Sequence, residues 1–478
     1  MASSGIRDFS ITFGSQIAAM MLGLASQSCL AWLLHPAGRG SYAVCLVFIT
    51  ILNVLFVIGF DVAIEYFVAS RRFSVSEGVL YTFLYGILSS ALAIGAGYAA
   101  IQMGLLHVYI PVLSDLISQL LGLLPSAWSV FLTSSVEKML SSATLGQFYL
   151  AMAILPLGMV SGVLARFPMA LRQFGQGAVI SVSTLLIQLV LTVLFVWVLH
   201  WGVEGALSAV ILTNAIMLLV LLGLLRKYHG LTWARPSLRR MAEAWSFGVR
   251  YYVGKISNLA NIQIGTLIVA MFVGKEEIGV FAVAAGLVVQ TETIPNVLGT
   301  VIMPRVAADA VGRPELVAQC ARISAIACGL LLGILAIFTV PIVKILFSPD
   351  FLPAVLLIRI IAIGTLIRCA SKVVVPYLIR QNHPGTASLA VFTGMGVNFG
   401  AMFWLLPVLG LAGAAVSMSM NYLVSSAILL IAFAWISKMP QREFWRFRKD
   451  DFSSLTDAIR RLRKKASPAP PNDSGTKG

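Results

Sequence analysis

Residues 168–177 read PMALRQFGQG, and residues 376–385 read PYLIRQNHPG. Pro168 matches Pro376, Leu171-Arg172-Gln173 matches Ile379-Arg380-Gln381, and Gly177 matches Gly385, all at one offset of 208. The same offset carries Gly202, Gly205 and Ala206 onto Gly410, Gly413 and Ala414 without a gap. Upstream, Gly40-Ser-Tyr-Ala-Val aligns with Gly279-Val-Phe-Ala-Val at an offset of 239. Self-similarity of this kind marks a duplicated architecture.

What is duplicated follows from composition. Of the 478 residues, 59% are hydrophobic and only 11% charged, whereas soluble domains sit near ~45–50% apolar and ~25% charged. A chain this apolar cannot cover itself with polar groups, so lipid is its solvent. About twelve apolar segments are long enough to cross a hydrocarbon core of ~30 Å: 9–34, 41–69, 77–101, 147–171, 177–200, 203–226, 244–273, 278–304, 318–344, 352–380, 385–407 and 410–437. The first is too long for a signal-peptide core and has no small-residue cleavage site behind it, which predicts a retained span. The expected fold is therefore all-α and polytopic. It has two six-helix bundles, over 1–226 and 244–437, joined by a linker at 227–243 and followed by a basic tail at 438–478.

The net charge of +15 is concentrated between apolar runs. Arg71, Arg72, Arg172, Arg226, Lys227, Arg235, Arg239, Arg240, Arg313 and Arg380 occupy one set of connectors, and the tail adds nine more cations from Arg442 to Lys465. The alternate connectors offer little beyond Arg39, Lys138 and Lys275. The positive-inside rule then places both termini in the cytoplasm, and the cations belong at a membrane surface rather than on nucleic acid. Six helices per half make the repeat parallel, which suits two bundles rocking about a central site. The two offsets differ by 31 residues, and an external amphipathic insertion at 102–146 in the first half accounts for most of that. The five cysteines all fall in apolar runs with no metal spacing and read as small core residues.

The stretch AWLLHPAGRGSYAVCLVFITILNVLFVIGFDVAIEYFVAS (31–70) resembles the N-terminal region of bacterial polysaccharide flippases. His35 to Tyr42 fill that family's "lLGPeg-G-y" turn and Gly59 its inner glycine, although Leu34-His35 stands where leucine-glycine is usual. The turn at 171–177 and the Gly-Val-Glu-Gly-Ala start at 202–206 are similar as well. The resemblance spans residues 8–437. It implies the multidrug/oligosaccharidyl-lipid/polysaccharide exporter superfamily and, within it, the O-antigen or exopolysaccharide (Wzx-type) flippases. Such proteins are expected to move undecaprenyl-pyrophosphate-linked oligosaccharides to the outer leaflet of the bacterial inner membrane. No cofactor is implied, while coupling to an H+ or Na+ gradient and contact with polymerase or export machinery are.

Ionisable residues deep in a membrane helix are costly and face a cavity or a partner. The second half offers Arg250, Lys255, Glu292, Arg359, Arg368 and Lys372; the first offers Asp61, Glu65 and Arg166. Arg250, Gly254, Asn258, Asn261 and Gly265 share one helical face, with Lys255 beside it. Lys255 lies ~16 Å into its span at 1.5 Å per residue. This stripe reads either as cavity lining or as polar glue between helices. Arg368 and Lys372 are four apart and repel unless an anion sits beside them. Glu292 and a substrate pyrophosphate are the two candidates. The expected substrate site is thus a cationic cavity of Arg250, Lys255, Arg368 and Lys372 with Asn258 and Asn261. Glu292, Asp61 and Glu65 are candidates for charge pairing or ion coupling. For Asp61 and Glu65, snorkelling toward Arg71 and Arg72 is the simpler expectation.

A membrane enzyme such as a glycan polymerase or ligase needs a constellation of acids and histidines at one interface. The five histidines, His35, His107, His200, His229 and His383, are scattered. A lipid II flippase or multidrug exporter of the same superfamily is the nearer alternative. The excess of deep cations in the second half favours an anionic substrate.

Overall fold

The computed structural model describes residues 2–109, 141–171, 173–232, 236–293, 295, 314–381 and 383–446, without the side chains of 2–13, 103–109, 174, 250–251, 253–264, 267 and 384. Among them there are helices and connectors but no strand. Among the described residues nine helices are long and apolar enough to cross a membrane, and the first of these contains two spans.

That first helix, α1 (Ala2–Val57), is a hairpin rather than a rod. It breaks at His35, whose backbone takes φ 54° and ψ 175°, and restarts at Pro36. Proline suits the first turn of a helix because its missing N–H would have had no partner there. The second arm therefore starts five residues earlier than the apolar pattern at 41 suggests. It ends at Ile58 and Gly59, both with positive φ, before α2 (Phe60–Ala69) completes the span. Next, α3 (Val75–Tyr109) starts on a reciprocal cap between Ser74 and Glu77 and runs eight residues past the expected end at 101. The expected insertion thus begins as a continuation of this helix; its centre, 110–140, lies outside the described residues.

The fourth span is built from α4 (Leu145–Met152), α5 (Ile154–Leu164) and α6 (Phe167–Ala170), opened by a Thr144–Gln147 capping box. The fifth is α7 (Phe174–Thr192), finished by a π-helical turn at Val193–Val198, and the sixth is α8 (Gly202–His229). In the second half come α9 (Leu238–Phe272), α10 (Lys275–Gln290), α11 (Pro314–Ile337), the short α12 (Thr339–Phe347), α13 (Ala354–Arg380), α14 (Pro384–Leu409) and α15 (Leu411–Ser437). A last short helix, α16 (Gln441–Phe444), is held by Arg322, which donates to the Phe444 carbonyl at 2.8 Å.

Repeated glycines do repeated work. Gly202 and Gly410, paired at offset 208, take φ 56° and 57° at the same helix-to-helix turn. Gly205 and Gly413 each back onto a carbonyl of the preceding span. At offset 239 the symmetry becomes a contact. A methyl group on Gly40 would run into the carbonyl oxygen of Lys275, and one on Gly279 into that of Pro36. Pro36 and Lys275 are themselves equivalent at that offset. The two-fold relation between the halves therefore passes through this crossing of α1 and α10.

The connectors rich in Lys and Arg gather at one end, termed the basic face. There Gln173 lies 3.3 Å from His229, Ser76 pairs with Thr232, and Arg240 pairs with Glu77. Toward the opposite face a single apolar core unites both halves, from Leu30 through Phe148 and Phe281 to Tyr422. Toward the basic face it divides into two cores, one around Phe60, Phe167 and Leu221 and one around Val374, Tyr377 and Phe433. The opposite face is also latched by polar contacts from α1. Ser28 donates to the Leu346 carbonyl, Trp32 to that of Ile345 at 3.2 Å, and His35 meets Asp350 at 3.0 Å.

Candidate functional site

Arg368 and Lys372 do share a face of α13, and they share one partner. Glu292, just past the end of α10, lies 2.9 Å from Arg368 Nε through one carboxylate oxygen and pairs with Lys372 through the other. The group carries one negative charge against two positive ones. The Arg368 guanidinium also lies 4.3 Å from the centre of the Tyr422 ring. Stacking on an aromatic face suits a delocalised cation removed from water.

The first half holds a counterpart of reversed sign. Arg166 reaches Asp61 at 2.9 Å and Glu65 at 3.0 Å. This corrects the expected pairing with Arg71 and Arg72, both of which are exposed at the basic face. Asp61 and Glu65 are one turn apart on α2, which packs on α6. A single arginine just before α6 therefore reaches both carboxylates without either leaving the protein.

Beside Tyr422 lies a cavity of about 300 Å³ between α1, α9, α10, α14 and α15. Its walls are mostly apolar, with Ala282, Ala285 and Gly286 letting the helices stand back. Its polar groups include Gln27, Arg39, Asn398 and Asn421. Arg39, expected in an external turn, is buried here beneath the α1 hairpin. Its Nη2 donates to Gln27 Oε1, and its guanidinium lies 5.4 Å from the Tyr42 ring centre. A lone arginine between two apolar runs looks like a loop residue. The signal that places it inside is the helix-compatible Pro36-Ala37-Gly38 before it, which draws it into the second arm of α1.

Of the other expected site residues, Arg359 is exposed and donates to the Ala336 carbonyl at 3.2 Å, away from the cavity. The backbone of Arg250, Lys255, Asn258 and Asn261 lies in α9, but their side chains fall outside the described residues. Gly265, at the end of that polar stripe, does line the cavity.

Comparison with known proteins agrees with this architecture. No curated protein sequence matches the chain. The structure is similar to the lipid II flippase MurJ in an inward closed conformation, with TM-score 0.63 and 13% identity over 96% of this chain and 93% of that one. It is also similar to an inward-facing multidrug resistance MATE transporter of the MOP superfamily, with TM-score 0.52 and 13% identity over 90% and 95% of the two chains. A MOP superfamily transporter from Pyrococcus furiosus gives TM-score 0.51 and 14% identity over 90% and 95%. At these identities the likeness concerns the fold. Residues 6–308, well over half of the chain, match the family model described as polysaccharide biosynthesis protein. The chain is thus a multi-pass membrane protein with the fold of the MOP transporters, and it belongs to the polysaccharide biosynthesis protein family.

Proposed function

We propose that this protein is a flippase that carries undecaprenyl-pyrophosphate-linked oligosaccharide repeat units across the bacterial inner membrane. It would work from the cytoplasmic to the outer leaflet, by alternating access, with the basic face in the cytoplasm. The observation that carries this reading is the excess cation in the membrane interior of the second half. Arg368 and Lys372 stand on one helix face and share the Glu292 carboxylate. The leftover positive charge suits a pyrophosphate, and a guanidinium binds its oxygens through two parallel hydrogen bonds. In this reading Arg250, Lys255, Asn258 and Asn261 extend the cationic wall along α9. Glu292 alternates between the cations and the substrate-loaded state. Asp61 and Glu65, sharing Arg166, are the carboxylates for coupling to an H+ or Na+ gradient. The protein performs no covalent chemistry of its own.

The test is made in cells. A deletion strain is expected to accumulate lipid-linked oligosaccharide on the inner leaflet, and the wild-type gene to clear it. Replacing the whole triad with E292Q, R368M and K372M separates a substrate site from a static brace. A brace tolerates well-packed apolar replacement. If the triple variant is inserted normally and still restores export, the triad does not handle substrate.

A further inference from the structure

The cavity beneath the α1 hairpin holds polar groups that no described residue satisfies. Arg39 is only 5% exposed and Asn398 only 2%. Among the described residues Arg39 Nε and Asn398 Oδ1 have no hydrogen-bond partner. Both residues line the same cavity. Among the described residues no carboxylate lies within ion-pair distance of Arg39, whose contacts are Gln27 and the Tyr42 ring. A buried guanidinium offers five N–H donors in a fixed fork, and here one of them is taken by Gln27. An unmatched buried cation beside an unmatched buried acceptor describes the missing ligand. That ligand must bring anionic oxygens to Arg39 and an O–H or N–H donor to Asn398. Phosphate oxygens alone meet the first demand and not the second. A sugar acid meets both, with its carboxylate on Arg39 and a ring hydroxyl on Asn398. Its apolar ring face suits the aromatic and aliphatic walls given by Phe281, Tyr422 and Met402. The cavity's volume of about 300 Å³ lies at the small end of ligand pockets.

We infer that this cavity is the glycan subsite of the transporter and that it selects a carboxylate-bearing sugar through Arg39. The inference rests on the flippase reading and deepens it. Tyr422 stands between the two stations, lining the sugar cavity while its ring carries Arg368. The pyrophosphate would sit with Arg368 and Lys372, and the acidic sugar beyond Tyr422 with Arg39. A substrate would then be read at two separated anionic groups. A neutral glycan on the same lipid would fill only one of them.

The experiment uses the full-length protein in lipid nanodiscs and three probes: a glucuronate-containing trisaccharide, its neutral glucose counterpart and a short-chain prenyl pyrophosphate. Wild type is expected to bind the acidic trisaccharide about tenfold more tightly than the neutral one, as one charge-assisted pair provides. Arg39→Gln is expected to abolish that preference and to leave prenyl pyrophosphate binding unchanged, which also shows that the variant is folded. Arg39→Lys, which keeps the charge but not the fork, is expected to retain part of the preference. Asn398→Leu is expected to weaken both sugars alike. An acid preference that survives Arg39→Gln overturns the subsite. So does loss of prenyl pyrophosphate in its place, which would put phosphate on Arg39. Pyrophosphate binding without any acid preference in wild type overturns this inference alone. A wild-type protein that binds none of the three probes overturns the flippase reading with it.

Discussion

In the first half one arginine sits between two carboxylates, and in the second one carboxylate sits between two cations. Both groups join the second and fourth spans of their half, so the duplication preserved which helices meet. It did not preserve the charges. Carried across at the repeat offsets, Arg166 lands on Val374, Arg368 on Val160, Lys372 on Leu164 and Glu292 on Asn53. No charge has a charged equivalent, and each triad arose on its own helices. Their depths differ as well. Arg166 lies five residues from the end of its span and Arg368 twelve, or ~8 Å against ~18 Å at 1.5 Å per residue. Symmetry supplied the frame, and its breaking left a group with two carboxylates near the basic face and a group with two cations further from it.

The sharpest way to break this contrast is Glu292→Gln. It takes from Arg368 and Lys372, with side chains 12% and 26% exposed, the carboxylate they share. Losing one partner of a buried group of this kind costs about 3–5 kcal/mol. The expected outcome is a fall of several degrees in the melting temperature of the detergent-solubilised protein, recovered by adding Lys372→Met. The matching change in the first half is Arg166→Gln, which leaves Asp61 and Glu65 facing each other. Because the Arg166 side chain is 38% exposed, water screens the loss, and roughly 1–2 kcal/mol is expected. Equal losses from the two variants would show that the triads lie at similar depth. The smallest effect concerns the entrances to the halves. His35 occupies a backbone region that favours glycine, with φ 54°, whereas its equivalent at offset 239, Gly274, takes φ −76°. His35→Gly relieves strain of about 1–3 kcal/mol but adds chain entropy and loses an exposed contact to Asp350, so a net gain below about 1 kcal/mol is expected. Thermal unfolding of the pair of proteins measures it.

Much of the fold was legible because lipid makes strong demands on sequence. Apolar runs found the spans among the described residues, and the Pro168/Pro376 and Gly202/Gly410 pairs revealed the repeat. The His35 turn stood out as a departure from the family's leucine-glycine pair, and its positive φ supplies the reason glycine is usual there. Element ends were harder, because a helix propagates through polar residues that hydropathy treats as loop, as at Leu238 to Glu243 and past Gln102. The Arg368–Glu292–Lys372 group was readable from spacing and sign. The Arg166 clamp was not, since Asp61 and Glu65 have nearer arginines in sequence and only the packing of α2 on α6 selects the distant one. Arg39 was missed for the opposite reason. Its neighbours carry turn residues, and burial there depends on α10 crossing α1 at Gly40 and Gly279.

If the proposed flippase exposes its two faces in turn, the forked apolar core sets the energetic cost of doing so. Parting the halves at the basic face loosens the start of α9, where Ala244 and Phe247 pack on the first-half core and Gly248 meets Gly59, but leaves the core around Val374, Tyr377 and Phe433 whole. Parting them at the opposite face would tear one continuous core from Leu30 to Tyr422 and break the contacts of Ser28, Trp32 and His35 with the second half. Each buried aliphatic or aromatic side chain so exposed costs about 1.5–3 kcal/mol. In the proposed flippase the resting population would therefore favour the state that keeps this core closed. In such a transporter cargo would shift that bias only through tighter binding to the rarer state than to the resting one.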